Sequence, residues 1–316
     1  MAHWFAPPSQ YSTEPVQLAT HNGTIYTAYD PTNPPPHPGE GYTRFVCISD
    51  THSQTFEVPE GDVLLHSGDL SKLGRYEDLE VTMNWLGELR HPVKIIIAGN
   101  HDLPLHEDWY RTQGWKKFHS QDGIENVSKI RTLVAEKPGI IYLQDQKYTF
   151  RVHEGRREWT VYGSPWQPWF FGWAFNYLPG DASTHINKIQ EVDILLTHGP
   201  PRNIRDLTLT NGHVGCPTLL AHLSKMQKPP LLHVFGHIHE ARGALAHPWD
   251  NQSTTTTVEG SPVNAEGGPR EGVGEARETI MVNAANMPMG RNLKYLLCGG
   301  PGFQPVIVDI LDSAER

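Results

Sequence analysis

Asp50 and His52, Asp69, the run Asn100, His101 and Asp102, then His198, His237 and His239 offer oxygen and nitrogen donors at intervals along a 316-residue chain. Asp50 and His52 stand one residue apart, as do His237 and His239, so each pair can reach one cation from a single loop. One such pair arises readily by chance. The whole set, which contains no thiolate, suits manganese, iron or zinc without choosing among them. Asp50, His52, Asp69, Asn100, His198, His237 and His239 together exceed what one tetrahedral ion takes. With one bridging carboxylate they can serve two divalent cations roughly 3.5 to 4 Å apart, an arrangement suited to displacement at phosphorus.

Five short apolar runs precede these donors. RFVCI, from Arg44, stops at SDTHS; DVLLHSGD begins at Asp62, VKIIIAGNHD at Val93, VDILLTHGP at Val192 and LLHVFGHIHE at Leu231. Each reads as a buried strand emptying into a polar loop. Tyr76, Leu79, Met83 and Leu86 are spaced as one helix face, and Leu219, Leu220, Leu223 and Met226 as a second, with Pro217 in the first turn. Continuously apolar strands separated by helices require a sheet covered on both faces, and such sheets collect chemistry at the carboxyl ends of their strands. The segment from Ile140 to Pro165 is expected to add short antiparallel strands around the turn HEGRR, which makes the sheet mixed.

Composition narrows the function classes. Against 35 Asp and Glu stand 26 scattered Lys and Arg, a net charge of −9, so polymeric nucleic acid is not an expected partner. Cys47, Cys216 and Cys298 leave an odd thiol and no CxxC pair, which points to a reducing, cytoplasmic setting. No window approaches 18 uninterrupted apolar residues, so no membrane span is expected. Residues 1–40, ending in a Pro-rich stretch, are read as an irregular N-terminal arm, and residues 41–316 as one domain. Within that domain the Gly-, Ser- and Thr-rich residues 248–275 are read as a mobile insertion. Oligomeric state is left open.

The strings DTH, GDLSKLG, GNHD, THGP and GHIH, in this order, resemble the five motifs of the calcineurin-like metallophosphoesterase superfamily. RFVCISDTHS, YGSPWQPWFFGWAFN and LLHVFGHIHE further resemble segments of its metallophosphoesterase domain-containing subgroup, and the likeness spans about 44–247 and 278–310. The resemblance implies an α/β fold, a four-layer α/β/β/α sandwich of two mixed sheets flanked by helices. It implies Asp50, His52 and His239 on a first metal, Asn100, His198 and His237 on a second, and Asp69 between them. His101 is then the residue near the leaving oxygen and Asp102 the one that orients it. Some subgroup members lack a ligand at the position of His237 or His239; this chain keeps both. Where many protein phosphatases read GDxxDRG, this chain reads GDLSKLG, which argues against a serine/threonine protein phosphatase.

The resulting expectation is metal-dependent hydrolysis of phosphodiesters, and also monoesters, in small substrates. The resemblance implies 2',3'-cyclic nucleotides, with manganese favoured for activity and iron or zinc as alternatives. The competing reading is a metal- and nucleotide-binding scaffold without turnover, and a nuclease on the same metal site ranks third because of the acidic charge. Secondary candidates for substrate contact are Arg202, Arg205 and His213, each of which could equally serve the surface. Trp169 is a further candidate, in PWQPWFFGWAF (165–175), a segment that is either a core plug or a wall for a base. A Cys216–His213 nucleophile rests on sequence proximity alone.

Overall fold

Along the run that precedes Asp50, Phe45 and Cys47 face one core while Val46 and Ile48 face another, and all four are fully buried. A strand covered on both sides belongs inside a layered structure. The computed structural model describes residues 16–249, 256–257, 277–289 and 296–312 and contains two seven-stranded sheets. The first runs in the order β1 (Val16–Ala19), β2 (Gly23–Ala28), β16 (Val306–Leu311), β3 (Tyr42–Ile48), β4 (Val63–His66), β5 (Val93–Ile96) and β6 (Ile141–Tyr142). The second runs β14 (Thr256–Thr257), β13 (Gly243–Pro248), β15 (Glu278–Asn283), β12 (Leu232–Phe235), β11 (Ile194–Thr197), β8 (Glu158–Ser164) and β7 (Gln146–Arg151). A separate two-stranded ribbon joins β9 (Gln167–Pro168) to β10 (Asn176–Tyr177).

Both sheets are mixed. Strands β3 to β6 are parallel, as are β15, β12, β11 and β8, while β1, β2 and β16 in the first sheet and β14, β13 and β7 in the second pair antiparallel. The antiparallel pair around HEGRR is β7 with β8. Phe45, Val63, Leu65 and Ile95 from one sheet share a core with Trp159, Val161, Ile194 and Val234 from the other. Helices α1 (Tyr76–Glu88) and α4 (Val127–Ala135) cover the outer face of the first sheet through Leu79, Met83, Leu86, Ile130 and Val134. Two short helices, α2 (Glu107–Trp109) and α3 (Trp115–Phe118), lie between them in sequence. Across the second sheet, α5 (Ala182–Ile186) and α6 (Pro217–Lys225) bury Ile186, Leu219 and Leu223. The layers are therefore helix, sheet, sheet, helix. Each large apolar side chain buried between them contributes roughly 1.5–3 kcal/mol.

Three elements differ from the sequence expectation or extend it. Residues 16–28, read above as irregular, form β1 and β2, which extend the first sheet through β16. The reason is local: Thr20 to Gly23 closes a tight turn, with the Thr20 amide on the Gly23 carbonyl at 2.8 Å, and Ile25 on the following strand is fully buried. The Pro-rich stretch that follows is pinned by Arg44, whose guanidinium donates to the Pro35 and Pro36 carbonyls and pairs with buried Asp309 at 2.7 Å. Helix α4 carries no motif and is absent from the sequence expectation; the Asn126 side chain caps it by accepting from the Lys129 amide at 3.0 Å. Of the stretch 248–275, Pro248 ends β13 and Thr256–Thr257 pair with Ala246 and Leu245, while 250–255 and 258–275 lie outside the described residues. Among the described residues no helix is long and apolar enough to cross a membrane.

Candidate metal centre

All the donors leave the carboxyl ends of parallel strands, where neighbouring loops continue the pairing of the sheet. After β3 and β4, the Asp50 amide donates to the Gly68 carbonyl at 2.9 Å and the His52 amide to the Asp69 carbonyl at 3.1 Å. The two sheets are joined at the same level by a parallel bridge between Ser49 and Ala285, with the Asn286 side chain accepting from the Ser49 amide at 3.1 Å. Asp50, His52, Asp69 and His237 all have left-handed backbone, with φ of 52°, 46°, 54° and 66°. Non-glycine residues seldom adopt this conformation, and its concentration on four donors marks a site whose surroundings dictate the backbone.

The side chains converge. His239 Nε2 stands 3.1 Å from Asp50 Oδ1, and Asp50, His52 and His239 place ligand atoms within 4.8 Å of one another. Asp50, Asp69 and His198 close to the same limit, as do His52, Asp69 and His101. Asp69 faces both ways: Oδ2 is 3.8 Å from His52 Nε2, and Oδ1 is 3.5 Å from His198 Nε2. Asn100 Oδ1 lies 2.9 Å from His198 Nε2, and His237 stands beside His198 with ring centroids 5.0 Å apart.

This arrangement fits divalent cations. The ion pairs of buried Asp50 and Asp69 run to histidines. Burial opposes ionisation of both carboxyls, yet the histidines, led by His239 at Asp50 and by His198 at Asp69, hold them below the usual carboxylate range. Burial pushes His52 down to about 4 and His237 to about 3, so both are neutral near pH 7 and keep a lone pair to offer. At His239 burial acts in the same sense, but the Asp50 carboxylate outweighs it and raises the imidazole. His198 Nδ1 lies 2.9 Å from the Ser67 carbonyl, which can only accept, so this nitrogen carries the proton. Nε2 then faces Asn100 Oδ1 at 2.9 Å and Asp69 Oδ1 at 3.5 Å. Asp69 Oδ1 accepts from the His101 amide at 2.8 Å, which fixes the carboxylate beside these atoms in a position a cation would share.

His101 occupies the same cluster, but its orientation differs from the expectation. Asp102 does not hold the imidazole: its carboxylate accepts from the Leu70, Ser71 and Gly99 amides at 2.9–3.0 Å and from Ser71 Oγ at 2.7 Å, tying the loop after β5 to the loop after β4. Burial first, then the Asp69 charge, push this carboxyl up to about 6. The His101 ring is instead fixed by the Lys72 carbonyl, 2.6 Å from Nδ1, which leaves Nε2 at 4.0 Å from Asp69 Oδ2.

The secondary candidates are spread wider. Trp169 is exposed and packs on Phe171; it is Trp173 that lies against His101, at 4.2 Å between centroids, and Phe170 that meets His237 at 5.2 Å. Aromatic density marks the segment, but nothing in the sequence marks these two residues within it. Arg205 donates to the Ala244 carbonyl at 3.0 Å, and Arg202 is exposed. His213 contacts Asp206 at 2.6 Å, which organises its own loop. Cys216 is buried and caps α6 by accepting from the Leu219 amide. His66 and His233 brace the strand ends through Thr51 and Thr197, at 3.0 and 2.8 Å.

Gly236 lets the two sheets close on the site. A Cβ there would fall 2.1 Å from Asp50 Oδ2 and 2.2 Å from Ser49 Oγ. Gly236→Ala is therefore expected to destabilise the fold by roughly 1–3 kcal/mol, as overpacking does, and to weaken metal binding by displacing Asp50. Thermal melts and metal titration measure the two effects; wild-type metal affinity in the variant would contradict the placement of Asp50.

Comparison with known proteins agrees with this geometry. Residues 43–241 match the family described as calcineurin-like phosphoesterase. The human and mouse proteins named metallophosphoesterase domain-containing protein 1 are each 40% identical over 270 residues, covering 80% of this chain and 78% of theirs. A protein of Emericella nidulans named probable rhamnogalacturonate lyase C is 37% identical over 67% of this chain, a match confined to 18% of that longer protein. With that likeness carried by a four-layer fold and a shared carboxylate between two donor groups, the chain belongs to the calcineurin-like phosphoesterase family, in the subgroup of the metallophosphoesterase domain-containing proteins.

Proposed function

We infer that the chain is a binuclear metal-dependent phosphoesterase acting on small phosphodiesters. The 2',3'-cyclic nucleotides are the first class to test and phosphomonoesters the second. Asp69 carries the reading, because its two oxygens face histidines that follow strands of opposite sheets, Oδ2 toward His52 and Oδ1 toward His198. Asp50, His52 and His239 form one ligand set, Asn100, His198 and His237 the other, and Asp69 is common to both. When bound, two divalent cations, manganese first and iron or zinc as alternatives, activate water for in-line attack and neutralise charge on the phosphoryl group. The protein contributes the dry, fixed cradle and one proton. His101, whose Nδ1–H is committed to the Lys72 carbonyl, acts as the imidazolium: its Nε2–H passes to the leaving oxygen and the ring is left neutral, with Nδ1 still protonated. The net charge of −9 supports a small substrate over a polymeric one, and three free cysteines support a reducing, cytoplasmic setting.

Hydrolysis of bis(4-nitrophenyl) phosphate and a panel of cyclic nucleotides in manganese tests this. Turnover should disappear with a chelator and return with the metal. Tight nucleotide binding by fully loaded protein without turnover would instead establish the scaffold reading.

A further inference from the structure

We propose that Trp173 is a positioning residue for His101, holding the imidazole at the angle from which Nε2 meets the leaving oxygen; this rests on the proton-donor reading of His101 above. A single hydrogen bond fixes one atom of a ring and leaves rotation about that bond free. Here Nδ1 is fixed by the Lys72 carbonyl, 2.6 Å away. Rotation is then limited by what touches the faces. His52 meets the His101 ring edge to face, 4.5 Å between centroids and 82° between planes. Trp173 lies against it at 4.2 Å and 31°, close to a stack. One carbonyl and two ring contacts thus define the imidazole plane.

Trp173 is itself held from behind. Its ring packs on Phe118 at 4.4 Å, and its amide donates to the Asn176 side chain at 3.1 Å and to the Phe170 carbonyl at 3.1 Å. Asn176 Oδ1 also accepts from the Phe170 amide at 2.9 Å, so this one side chain shapes the turn that carries Trp173. The ribbon beneath is anchored by the Phe175 amide on His106 Nδ1 at 2.9 Å and by Gln167 Nε2 on the Ala174 carbonyl at 2.9 Å. The aromatic segment therefore reaches the site through a built support; Phe170 meets the proposed ligand His237, and Trp173 falls on the one histidine of the cluster that the proposed ligand sets leave unused.

A general acid matters most when the leaving group is a poor one, which gives this role a signature that packing alone lacks. Two diesters, methyl phenyl phosphate and methyl 4-nitrophenyl phosphate, are compared in manganese-loaded full-length protein. Trp173→Ala should lower kcat for the phenyl ester by about 10- to 100-fold, since misplacing a reacting group by an ångström costs on the order of 100-fold. KM and metal content should stay near wild type, and the loss for the nitrophenyl ester should be several-fold smaller. Trp173→Phe, which keeps a flat face, should recover most of the phenyl-ester rate. Asn176→Ala, which frees the turn and leaves the indole intact, should reproduce the Trp173→Ala pattern in weaker form. Equal losses on both esters, a change confined to KM, or metal loss would overturn the proposal. His101→Ala runs in parallel: a leaving-group-dependent loss there without one at Trp173 refutes the positioning role alone, and no such loss at His101 refutes the proton-donor reading with it.

Discussion

Asp69→Asn should reduce bound metal from two ions to well under one per chain and lower turnover by at least about 10²–10³-fold, the usual effect of losing one electrostatic element of a reaction centre. Asp69 is the side chain with an oxygen toward each donor group, so its charge serves both cations at once. Ordinary destabilisation is separable by melting the metal-free protein. Neutralising Asp69 relieves its repulsion with Asp50 but forfeits the attraction of His198, His101 and His52 that holds its carboxyl ionised against burial, so the metal-free melting temperature should fall modestly. In the wild type, metal at about 100 times its dissociation constant stabilises by roughly 2.7 kcal/mol, and this increment should vanish in the variant. Two retained ions with normal turnover would remove Asp69 from the bridging position.

His101→Ala should give the opposite pairing of results: metal retained, turnover down by about 10²–10⁴-fold, the range for a lost acid or base. Structure supplies both possibilities, because His52, Asp69 and His101 bring ligand atoms within 4.8 Å, which also suits a metal ligand. The His101 side chain is 25% exposed, more than those of His52, His198 and His239, so Nε2 is open to a substrate oxygen, which favours the proton role. Elemental analysis of the variant decides. Loss of an ion would make His101 a ligand and leave the leaving oxygen without its proposed donor.

The strand ends and their donors were legible in the sequence for a physical reason. Parallel strands buried on both faces are continuously apolar, so Val46 to Ile48 or Ile194 to Leu196 announce where each run stops, and the next polar residues fall at the carboxyl edge. Orientation was not legible. Asp102 follows His101 directly, which suggests a pair, but the chain reverses after Asn100. One side chain then turns to the Lys72 carbonyl and the other to the Leu70, Ser71 and Gly99 amides. The aromatic segment fails for another reason: between β9 and β10 it has no repeating period, so composition marked 165–175 without separating exposed Trp169 from Trp173 on His101. The β1–β2 hairpin was hidden because short edge strands beside a Pro-rich stretch carry too few apolar residues to stand out.

Crystals grown with manganese and measured at its absorption edge would test the shared site most directly. Two anomalous peaks roughly 3.5 to 4 Å apart are predicted, one within coordination distance of Asp50, His52 and His239, the other of Asn100, His198 and His237, with an Asp69 oxygen on each. A single peak, or two peaks that do not share Asp69, would contradict the binuclear centre.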